Sequence, residues 1–419
     1  MNFYLGIDFG TSGARACAID EEGNIHSSTQ YLFPVSASKD WARSWESALF
    51  NLIDSLPRRV REEIRTIAIN GTSSTVLLCS GQGDPVAPPL LYNDGVGVAV
   101  LDKLKASAPS HHLVVSTSSS LAKLLWWYEQ PFYTQAQYFL HQADWLAFLL
   151  HGKLGITDYH NCLKLGYDVE QLAYPSWIQA LPIQIILPQV LPPGTPVDVV
   201  QKSIRERFNL PGDCLICTGT TDSIAAFIAS GAKLPGEAVT SLGSTLVLKL
   251  LSQKRVEDSR YGIYSHRFEQ GEEVLWLTGG ASNTGGAVLR HFFSNEELSS
   301  LSQKIEVNKK SDLNYYPLLK CGERFPINNP SLPPKLTPRP ENKVEFLHGL
   351  LDSIARIEAE GYSLLQQLRA TPLTRVYTAG GGAKNGTWTV IRQDHLQVPV
   401  TSSMNTDAAY GSALLAQQR

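Results

Sequence analysis

Long apolar runs are missing from this chain of 419 residues. No stretch reaches the ~18 consecutive apolar residues that a membrane-spanning helix needs. The first strand-like stretch begins almost at Met1, so that no signal or transit peptide is expected in front of it. The sequence therefore predicts a cytoplasmic protein.

An excess of one charge sign is also missing. The formal net charge is −3 at pH 7, and lysine and arginine form no runs. Proteins that bind nucleic acid or anionic membrane as their main partner carry basic patches. The chain is therefore expected to bind neither nucleic acid nor membrane.

Paired cysteines are scarce. The six cysteines are dispersed along the chain, at Cys17, Cys79, Cys162, Cys214, Cys217 and Cys321. Cys214 and Cys217 have the spacing of a metal or redox pair, but they have no second pair and lie in an apolar run, not at a helix start. We expect free thiols without chemistry.

The remaining composition is that of an ordinary globular protein. Hydrophobic residues make up 43% of the chain and charged residues 18%, which is typical of soluble domains. The length allows two or three domains. Apolar strand-like stretches alternate with helical spacings, which indicates an α/β fold.

The opening stretch carries the first candidate site. An apolar run, Phe3 to Ile7, ends at Asp8 and is followed by the turn Gly10–Gly13 and a second apolar run, Ala14 to Ile19. A helix after the turn would be cut to about two turns, well under the usual ~11 residues, so that a β-hairpin is the better interpretation. An ordinary hairpin with polar turn residues stays possible.

The hairpin turn has the composition of a phosphate site. Its glycines are expected to adopt positive φ and to point backbone N–H groups into one small space. Asp8 is a hard oxygen ligand of the kind that Mg²⁺ prefers, and Arg15 adds a fixed positive charge. The stretch is not a P-loop, because no Gly-Lys-Ser/Thr follows. It is also a poor dinucleotide motif, since Asp8 stands where the first glycine should be.

Further strands and helices follow from periodicity. Helices are predicted at 44–56, 121–129, 138–150, 287–293, 341–368 and 407–416, and strands at 64–69, 75–79, 214–218 and 376–379, with an irregular loop at 182–196. The hairpin predicted at 236–251 has its turn at Gly243–Thr245. This weak similarity to the opening stretch suggests a duplicated two-lobed architecture.

Other glycine and hydroxyl turns follow apolar strands. They are Asn70–Ser74, Gly219–Asp222, Thr278–Gly286 and Gly380–Gly386. Asp222 begins a helix, where it could be a plain N-cap. The polar segment Asp158–Asn161 could line a cleft, or its side chains could cap backbone groups, and the sequence leaves both open.

Taken in this order, the motifs Asp8–Thr11, Thr218–Asp222, Gly243–Ser244 and Gly380–Asn385 resemble the FGGY family of carbohydrate kinases over essentially the whole chain. Within that family the chain looks most like the small cyanobacterial and plant pentulose kinases. The resemblance implies an α/β fold of two ribonuclease-H-like domains of the actin/hexokinase type with an interdomain cleft. The implied boundaries are 1–230 for the N-terminal domain, joined by a return helix at 403–419, and 231–402 for the C-terminal domain.

The resemblance also implies site residues. The implied catalytic set is Asp222 as general base, Asp8 holding Mg²⁺, and Thr11 and Arg15 on the transferred phosphoryl group. The implied sugar-binding set is Asp8, Ser73, Asp222 and Ser223, with Asn93 and Asp94 plausible by position only. The implied nucleotide-binding set is Gly10, Thr11, Ser12, Gly243, Ser244, Gly280, Gly381, Gly382, Asn385 and Trp388. The chain departs from many members at Thr220–Thr221, where a glycine is usual before the aspartate, and it is shorter than most.

The function implied is ATP-dependent phosphorylation of a ketopentose, D-ribulose to D-ribulose 5-phosphate, with Mg²⁺. D-Xylulose kinase is the nearest alternative, and a sugar- or nucleotide-binding pseudokinase is the alternative from another class. An actin- or chaperone-like ATPase is disfavoured, because the chain lacks a peptide-binding β domain or filament-type insertions. The expected partners are a small-molecule sugar and ATP, for a monomer or homodimer whose domains close on substrate.

Overall fold

The computed structural model describes residues 1–34 and 40–418. Arg419, the last residue of the predicted return helix, lies outside the described residues. The chain divides into two compact units, one of Met1–Ala229 and Asp407–Arg419 and the other of Ser230–Thr406. Among the described residues, no helix is both long and apolar enough to cross a membrane.

The first unit contains the strands β1 (Phe3–Phe9), β2 (Gly13–Ile19), β3 (Ile25–Leu32), β4 (Ile64–Gly71), β5 (Val76–Cys79), β6 (Tyr138–His141), β7 (Ile156–Asp158), β8 (Gln189–Leu191), β9 (Pro196–Val199), β10 (Leu215–Cys217) and β11 (Thr220–Thr221). Its helices are α1 (Trp41–Ser55), α2 (Arg58–Arg61), α3 (Leu101–Ser107), α4 (Ser120–Tyr128), α5 (Gln142–His151), α6 (Tyr159–Cys162), α7 (Ser176–Gln179), α8 (Lys202–Phe208) and α9 (Asp222–Ala229).

The second unit contains the strands β12 (Glu237–Leu242), β13 (Leu246–Ser252), β14 (Tyr264–Gln270), β15 (Glu273–Ser282), β16 (Arg375–Ala379) and β17 (Val400–Ser402). Its helices are α10 (Gly286–Phe292), α11 (Asn295–Ser302), α12 (Lys343–Gln367) and α13 (Gly386–Leu396). The last helix, α14 (Ala408–Gln417), returns to the first unit. Short 3₁₀ turns occur at Val96–Val100, Pro131–Gln135, Leu163–Leu165, Ser259–Tyr261 and Gly381–Lys384.

The main sheet of the first unit has the strand order β3-β2-β1-β4-β10-β9, and β11 also pairs with β4. β1 to β3 run antiparallel as a meander, whereas β4 lies parallel to β1, β10 and β11. The alternating residues Leu5 and Ile7 of β1 pack on one face with Trp45 of α1 and Trp145 of α5. The hairpin predicted at the start of the chain is confirmed.

Helix α14 covers the opposite face of this sheet at very short range. A Cβ at Gly6 of β1 would lie 2.0 Å from the carbonyl oxygen of Ala409, and one at Gly411 would lie 1.8 Å from that of Ala225 on α9. Only glycine permits such backbone approach. The small residues predicted to favour close packing in this helix therefore do so.

The sheet of the second unit has the order β14-β15-β13-β12-β16-β17. The long helix α12 begins after Asn342, whose side chain accepts a hydrogen bond from Val344 N–H, and packs its apolar face into the core of this unit. Glu358 of α12 forms a buried ion pair with Arg392 of α13, with the Glu358 Oε2 to Arg392 Nε distance at 2.6 Å.

Four predicted boundaries are wrong. Thr220 and Thr221, predicted within a turn, form strand β11, which pairs with β4. Residues 138–141 form strand β6, paired with β5, and the helix begins only at Gln142. Asn70 and Gly71 belong to β4 instead of the turn after it. Residues 278–282 continue strand β15, which pairs along its length with β13. In each case long-range strand pairing extends regular structure through a segment whose local composition favours another conformation.

Candidate active site

Strand register brings the two predicted aspartates to one edge of the first sheet. Asp8 of β1 lies opposite Asn70 of β4, and Thr220 of β11 lies opposite the same asparagine on its other side. Asp222 then begins helix α9. Because the carboxyl ends of neighbouring parallel strands form the usual ligand site of α/β sheets, this edge is the candidate active site.

Asp8 carries the strongest electrostatic signal at this edge. Burial raises its pKa to about 7, with additional contributions from the charges of Asp222 and Asp407, while Arg15 lowers it. Arg15 stands directly across from Asp8 in the β1–β2 ladder. The sequence analysis placed Asp407 in the predicted helix 407–416 and not among the site residues. Its side chain caps α14 by accepting from Ala409 N–H at 2.9 Å.

The hairpin turn exposes its hydroxyl residues. Gly10 N–H donates to the Gly13 carbonyl at 3.0 Å, and Thr11 and Ser12 are exposed between them. The expected positive φ is wrong for both glycines, since neither Gly10 nor Gly13 adopts it. Gly13 is instead required for packing, because a Cβ there would lie 2.4 Å from the carbonyl oxygen of Tyr31 on β3.

A small pocket of about 160 Å³ opens beside this turn. It is lined by Gly10, Thr11, Trp41, Trp45, Thr72, Thr75, Leu91, Tyr92, Asn93 and Gln142. Pockets for drug-sized ligands measure ~300–1,000 Å³, so that this one suits a smaller polar molecule. Asn93, plausible by position alone in the sequence, is part of its wall.

The pocket wall is held together by specific hydrogen bonds. Tyr92 N–H donates to Thr75 Oγ1 at 2.9 Å, and Thr72 N–H donates to Gln142 Oε1 at 3.1 Å. The buried ammonium group of Lys123 on α4 donates to the carbonyls of Ser74 and Leu91, the former at 2.7 Å. Lys123 thus connects the two loops that line the pocket.

The predicted sugar-binding serines flank the site. Ser73 is half-buried between the pocket residues Thr72 and Thr75. Ser223 is exposed on the first turn of α9, and its N–H donates to Asp222 Oδ1 at 2.6 Å. Asp94 is half-buried, and its Oδ2 accepts from Leu91 N–H at 2.6 Å, which makes it a support of the loop.

The segment Asp158–Asn161 takes the capping alternative that the sequence left open. Asp158 accepts from the N–H groups of His160 and Asn161 at 2.8 and 3.0 Å. His160 Nδ1 lies 2.8 Å from the Thr220 hydroxyl, in the strand that leads to Asp222. The segment therefore supports the site from inside the unit.

The second unit places two glycine segments at one edge of its own sheet. Ser241 of β12 pairs with Ala379 of β16, and both strands run parallel. The turn after β12 contains Gly243 and Ser244, and the segment after β16 begins at Gly380, which has a φ of 82°. Gly381 is exposed, and a Cβ added there would meet no heavy atom within 4 Å. This edge is open to a ligand.

The turn at Gly243 is braced by the start of α10. Gly286 N–H donates to the Gly243 carbonyl at 2.9 Å, and a Cβ at Gly286 would lie 2.5 Å from that oxygen. Arg290 of α10 donates to the Ser244 hydroxyl at 2.9 Å. The sequence analysis omitted Arg290, which places a positive charge at this turn.

Three predicted nucleotide-site residues have structural contacts. Gly280 lies inside β15 and not in a turn, and a Cβ there would lie 2.3 Å from the Phe325 ring. Trp388 is 2% exposed, and its indole N–H donates to the Leu351 carbonyl at 3.1 Å. Asn385 caps α13 by accepting from Trp388 N–H at 3.0 Å. The expectation of a Gly280 turn is wrong, and Trp388 is a core residue.

The donor set at the first edge fits a magnesium ion. Mg²⁺ binds in proteins through one or two carboxylates and keeps several waters and substrate phosphates as further ligands. Asp8 supplies a half-buried carboxylate whose raised pKa reflects burial and the negative charge gathered around it. A divalent cation would offset that charge. Among the described residues no group of three or more His, Cys, Asp or Glu side chains forms a metal cage, and Mg²⁺ does not require one.

The fold is an α/β architecture of the actin/hexokinase type, with a glycine and hydroxyl hairpin at the strand ends of each unit. Family models match nearly the whole chain: the N-terminal domain of the FGGY family of carbohydrate kinases matches residues 3–229, and the C-terminal domain matches residues 238–417. The chain belongs to the FGGY family of carbohydrate kinases.

Individual relatives are distant but cover the full length. The chain is 23% identical to the xylulose kinase of Bacillus subtilis over 99% of this chain and 88% of that protein. The ligand-bound xylulose kinase of Lactobacillus acidophilus superimposes with a TM-score of 0.83 at 16% identity, covering 100% of this chain and 89% of that one. Plasmodium falciparum glycerol kinase with ADP superimposes with a TM-score of 0.86 at 19% identity, covering 99% and 89%. These structures share the fold.

Proposed function

We propose that this carbohydrate kinase transfers a phosphoryl group from ATP to a ketopentose. The observation that carries the proposal is the register of β1, β4 and β11, which brings Asp8 and Asp222 to one strand edge beside the Thr11–Ser12 turn. The similarity to the xylulose kinase of Bacillus subtilis supports a ketopentose as the substrate class.

Asp222 acts as the general base. It is half-buried at the first position of α9, and a base must reach the proton that it removes at ~2.6–3.2 Å once substrate is bound. Asp222 accepts the proton of the attacking sugar hydroxyl while that oxygen bonds to the terminal phosphorus of ATP, and the bond from this phosphorus to the bridging oxygen breaks to release ADP. The strand β11 and the hydrogen bond between Thr220 and His160 hold the base in place.

We assign the stabilisation of the phosphoryl charge to Asp8, Thr11 and Arg15. Phosphoryl transfer is mostly positioning and charge stabilisation. The structure gives the backbone N–H groups of Thr11 and Ser12 no acceptor among the described residues. They are therefore available to phosphate oxygens, whose approach Gly10 permits because it has no side chain. Asp8 would hold Mg²⁺, which neutralises phosphate charge when bound.

The nucleotide is assigned to the second unit. Gly243 and Ser244 would approach its phosphates, with Arg290 as an added positive charge, and the glycines Gly381 and Gly382 would allow its close approach. Asn385 and Trp388 act indirectly, because they fix the start of α13 behind these glycines.

The sugar is assigned to the pocket beside the hairpin, with Ser73, Ser223, Asp8 and Asp222 as hydroxyl partners. The sequence resemblance favours D-ribulose, giving D-ribulose 5-phosphate, whereas the names of relatives favour D-xylulose. The two sugars differ in the handedness of one carbinol. The proposal also includes the two domains, one of residues 1–230 with 403–419 and one of residues 231–402. It further includes a cytoplasmic location and a monomeric or homodimeric state.

The test is ADP release with Mg-ATP across D- and L-ribulose, D- and L-xylulose and glycerol. We expect release to depend on one pentulose and to fall by about 10²–10⁴-fold in Asp222→Asn, the usual contribution of a general base. Asp213→Asn is the matched control, because Asp213 is exposed and ion-paired with Arg65 at 3.0 Å, and it should keep wild-type activity. Sugar binding without any transfer would instead identify a pseudokinase.

A further inference from the structure

We propose that Gln142 is a specificity-determining residue of the sugar site, whose side-chain amide Nε2 donates a hydrogen bond to one hydroxyl of the bound ketopentose. The inference rests on the proposed function and adds a residue to it. The sequence analysis had placed Gln142 inside a continuous helix, whereas it is the first residue of α5, directly after β6.

Gln142 lies beside the proposed reacting groups. A Cβ at Gly71, the last residue of β4, would lie 2.8 Å from Gln142 Oε1, so that the missing side chain makes room for the glutamine. Gly71 pairs with Phe9 on one side and Thr221 on the other. These residues adjoin Asp8 and Asp222, which places Gln142 within the neighbourhood of both.

The orientation of the amide is fixed by the backbone. Thr72 N–H donates to Gln142 Oε1 at 3.1 Å, and the Thr72 hydroxyl lies 3.3 Å from the same oxygen. A backbone N–H can only donate, so the side-chain oxygen must face Thr72. Nε2 is therefore directed away from Thr72.

The amide nitrogen is left for a ligand. Gln142 is 2% exposed as a residue, yet Nε2 has no hydrogen-bond partner among the described residues and is not one of the fully enclosed unpaired atoms. The residue lines the pocket of about 160 Å³. A nearly buried donor left unpaired costs free energy, which a sugar hydroxyl in this pocket would recover.

The rest of the pocket suits a polyol. Trp41 and Trp45 are stacked with ring centroids 5.9 Å apart and supply an apolar wall for carbon-bound hydrogens. Thr11 and Asn93 add exposed polar groups at the rim. A fixed donor against an apolar wall selects the position and handedness of the hydroxyl that it meets, because a site built to bond a hydroxyl rejects sugars that lack it.

The test combines Gln142→Met with the monodeoxy analogues of D-ribulose and D-xylulose. Methionine is of similar length and removes the NH₂ donor without adding a charge. In the wild type, removal of the bonded hydroxyl should raise KM by about 10- to 100-fold, the cost of an unpaired donor. In Gln142→Met that ratio should fall below about 3-fold, because the bond is already absent.

Other parameters separate specificity from damage. The KM for ATP should stay within about 2-fold in Gln142→Met, because the nucleotide is assigned to residues of the second unit and contacts without shared partners are independent. Gln189→Met makes the same change at an exposed position of β8 and should keep the wild-type ratios. If thermal melting shows Gln142→Met to be unfolded, Gln142→Leu takes its place with the same expected ratio.

Different results would contradict the ketopentose kinase activity and the role of Gln142. Tryptophan fluorescence, with Trp41 and Trp45 in the pocket, measures sugar binding without ATP. A wild type that neither binds nor phosphorylates a ketopentose would overturn the proposed function and this inference with it. A wild type that does both, with hydroxyl ratios unchanged in the variant, would overturn the role of Gln142 alone.

Discussion

Two aspartates of the first unit have pKa values raised to about 7, and burial is the largest cause for both. Their surroundings differ. Asp8 stands at the open strand edge, half-buried beside Arg15, whereas Asp158 is fully enclosed and caps α6. The same shift therefore accompanies a proposed ligand role at Asp8 and a structural role at Asp158.

Asp158→Asn should change how stability depends on pH. Because the folded-state pKa lies above the unfolded value, folded Asp158 keeps a proton that the unfolded chain has lost. Its stabilising contribution is complete below the unfolded pKa and is lost as pH rises through about 7, at up to about 1.4 kcal/mol per pH unit. Asparagine does not titrate, so this loss disappears. Its NH₂ group needs an acceptor in place of the donor that faces Asp158, and the Asn161 amide can supply one by rotating, since Asn161 Oδ1 is unpaired in the described part of the chain.

The measurement is urea unfolding at pH 5, 6, 7 and 8. We expect the wild type to lose free energy of unfolding across this range more steeply than Asp158→Asn. Asp54→Asn, an exposed change on α1, should follow the wild type. Parallel curves for wild type and Asp158→Asn would contradict the assignment.

At the scale of elements, close contacts and one buried lysine organise the site. Gly219 stands where a Cβ would lie 1.8 Å from the Ile69 carbonyl oxygen, so β4 and the segment leading to Asp222 approach as closely as Gly6 approaches α14. Lys123 fixes the loops on the pocket side through the carbonyls of Ser74 and Leu91.

Lys123→Met should weaken sugar binding selectively. The change leaves the buried Ser74 carbonyl without its donor, which costs ~1–3 kcal/mol. The Leu91 carbonyl keeps the hydrogen bond from Asp94 N–H at 3.0 Å, but the connection between the two loops that line the pocket is lost. We expect the KM for sugar to rise by at least about 10-fold while the KM for ATP is unchanged. Lys103→Met is the control, because Lys103 is exposed and paired with Glu129.

The protonation state of Lys123 predicts how the KM for sugar depends on pH. Burial lowers the pKa of Lys123 to about 8, and a neutral amine makes weaker hydrogen bonds than an ammonium group. The wild-type KM for sugar should therefore rise above pH 8, and that rise should be absent in Lys123→Met. Steady-state kinetics between pH 6.5 and 9.5 provides the check; an identical pH profile in both proteins would exclude the role.

At the scale of the whole molecule, each unit has its own apolar core. In the second unit the ion pair of Glu358 and Arg392 is buried, and it also bonds Thr240 and Thr378. The pair connects α12 and α13 to the strands that end at the glycine turns. Its loss should therefore act on the second unit.

Arg392→Met should lower the free energy of unfolding by about 3–5 kcal/mol, because it leaves a buried carboxylate unpaired. Replacing both partners, as Glu358→Leu with Arg392→Met, should recover much of this loss. Lys343→Met breaks the exposed pair with Glu297 and should cost under about 1 kcal/mol. Urea unfolding measures these changes, and sugar binding followed by tryptophan fluorescence should be unaffected; a parallel fall in sugar affinity would contradict the assignment to one unit.

The sequence by itself determined the fold class, the opening hairpin with Asp8 at its strand end, the helix start at Asp222 and the family. These features depend on local signals, namely apolar runs, glycine turns and capping residues, which can be recognised without knowing any distant contact. The motif 278–286 was recognised, but its turn is confined to residues 283–285, because β15 pairs with β13 through Ser282 and α10 begins at Gly286.

Only the tertiary structure decided which side chains meet. Strand register places Asn70 between Asp8 and Thr220. The return of α14 to the first unit brings Asp407 close enough for its charge to raise the pKa of Asp8. The pairing of β6 with β5 moves the start of α5 to Gln142, which lines the pocket. These relations join residues far apart in the chain, and the physical reason is that register, burial and the direction of a side chain depend on neighbours that local sequence does not specify.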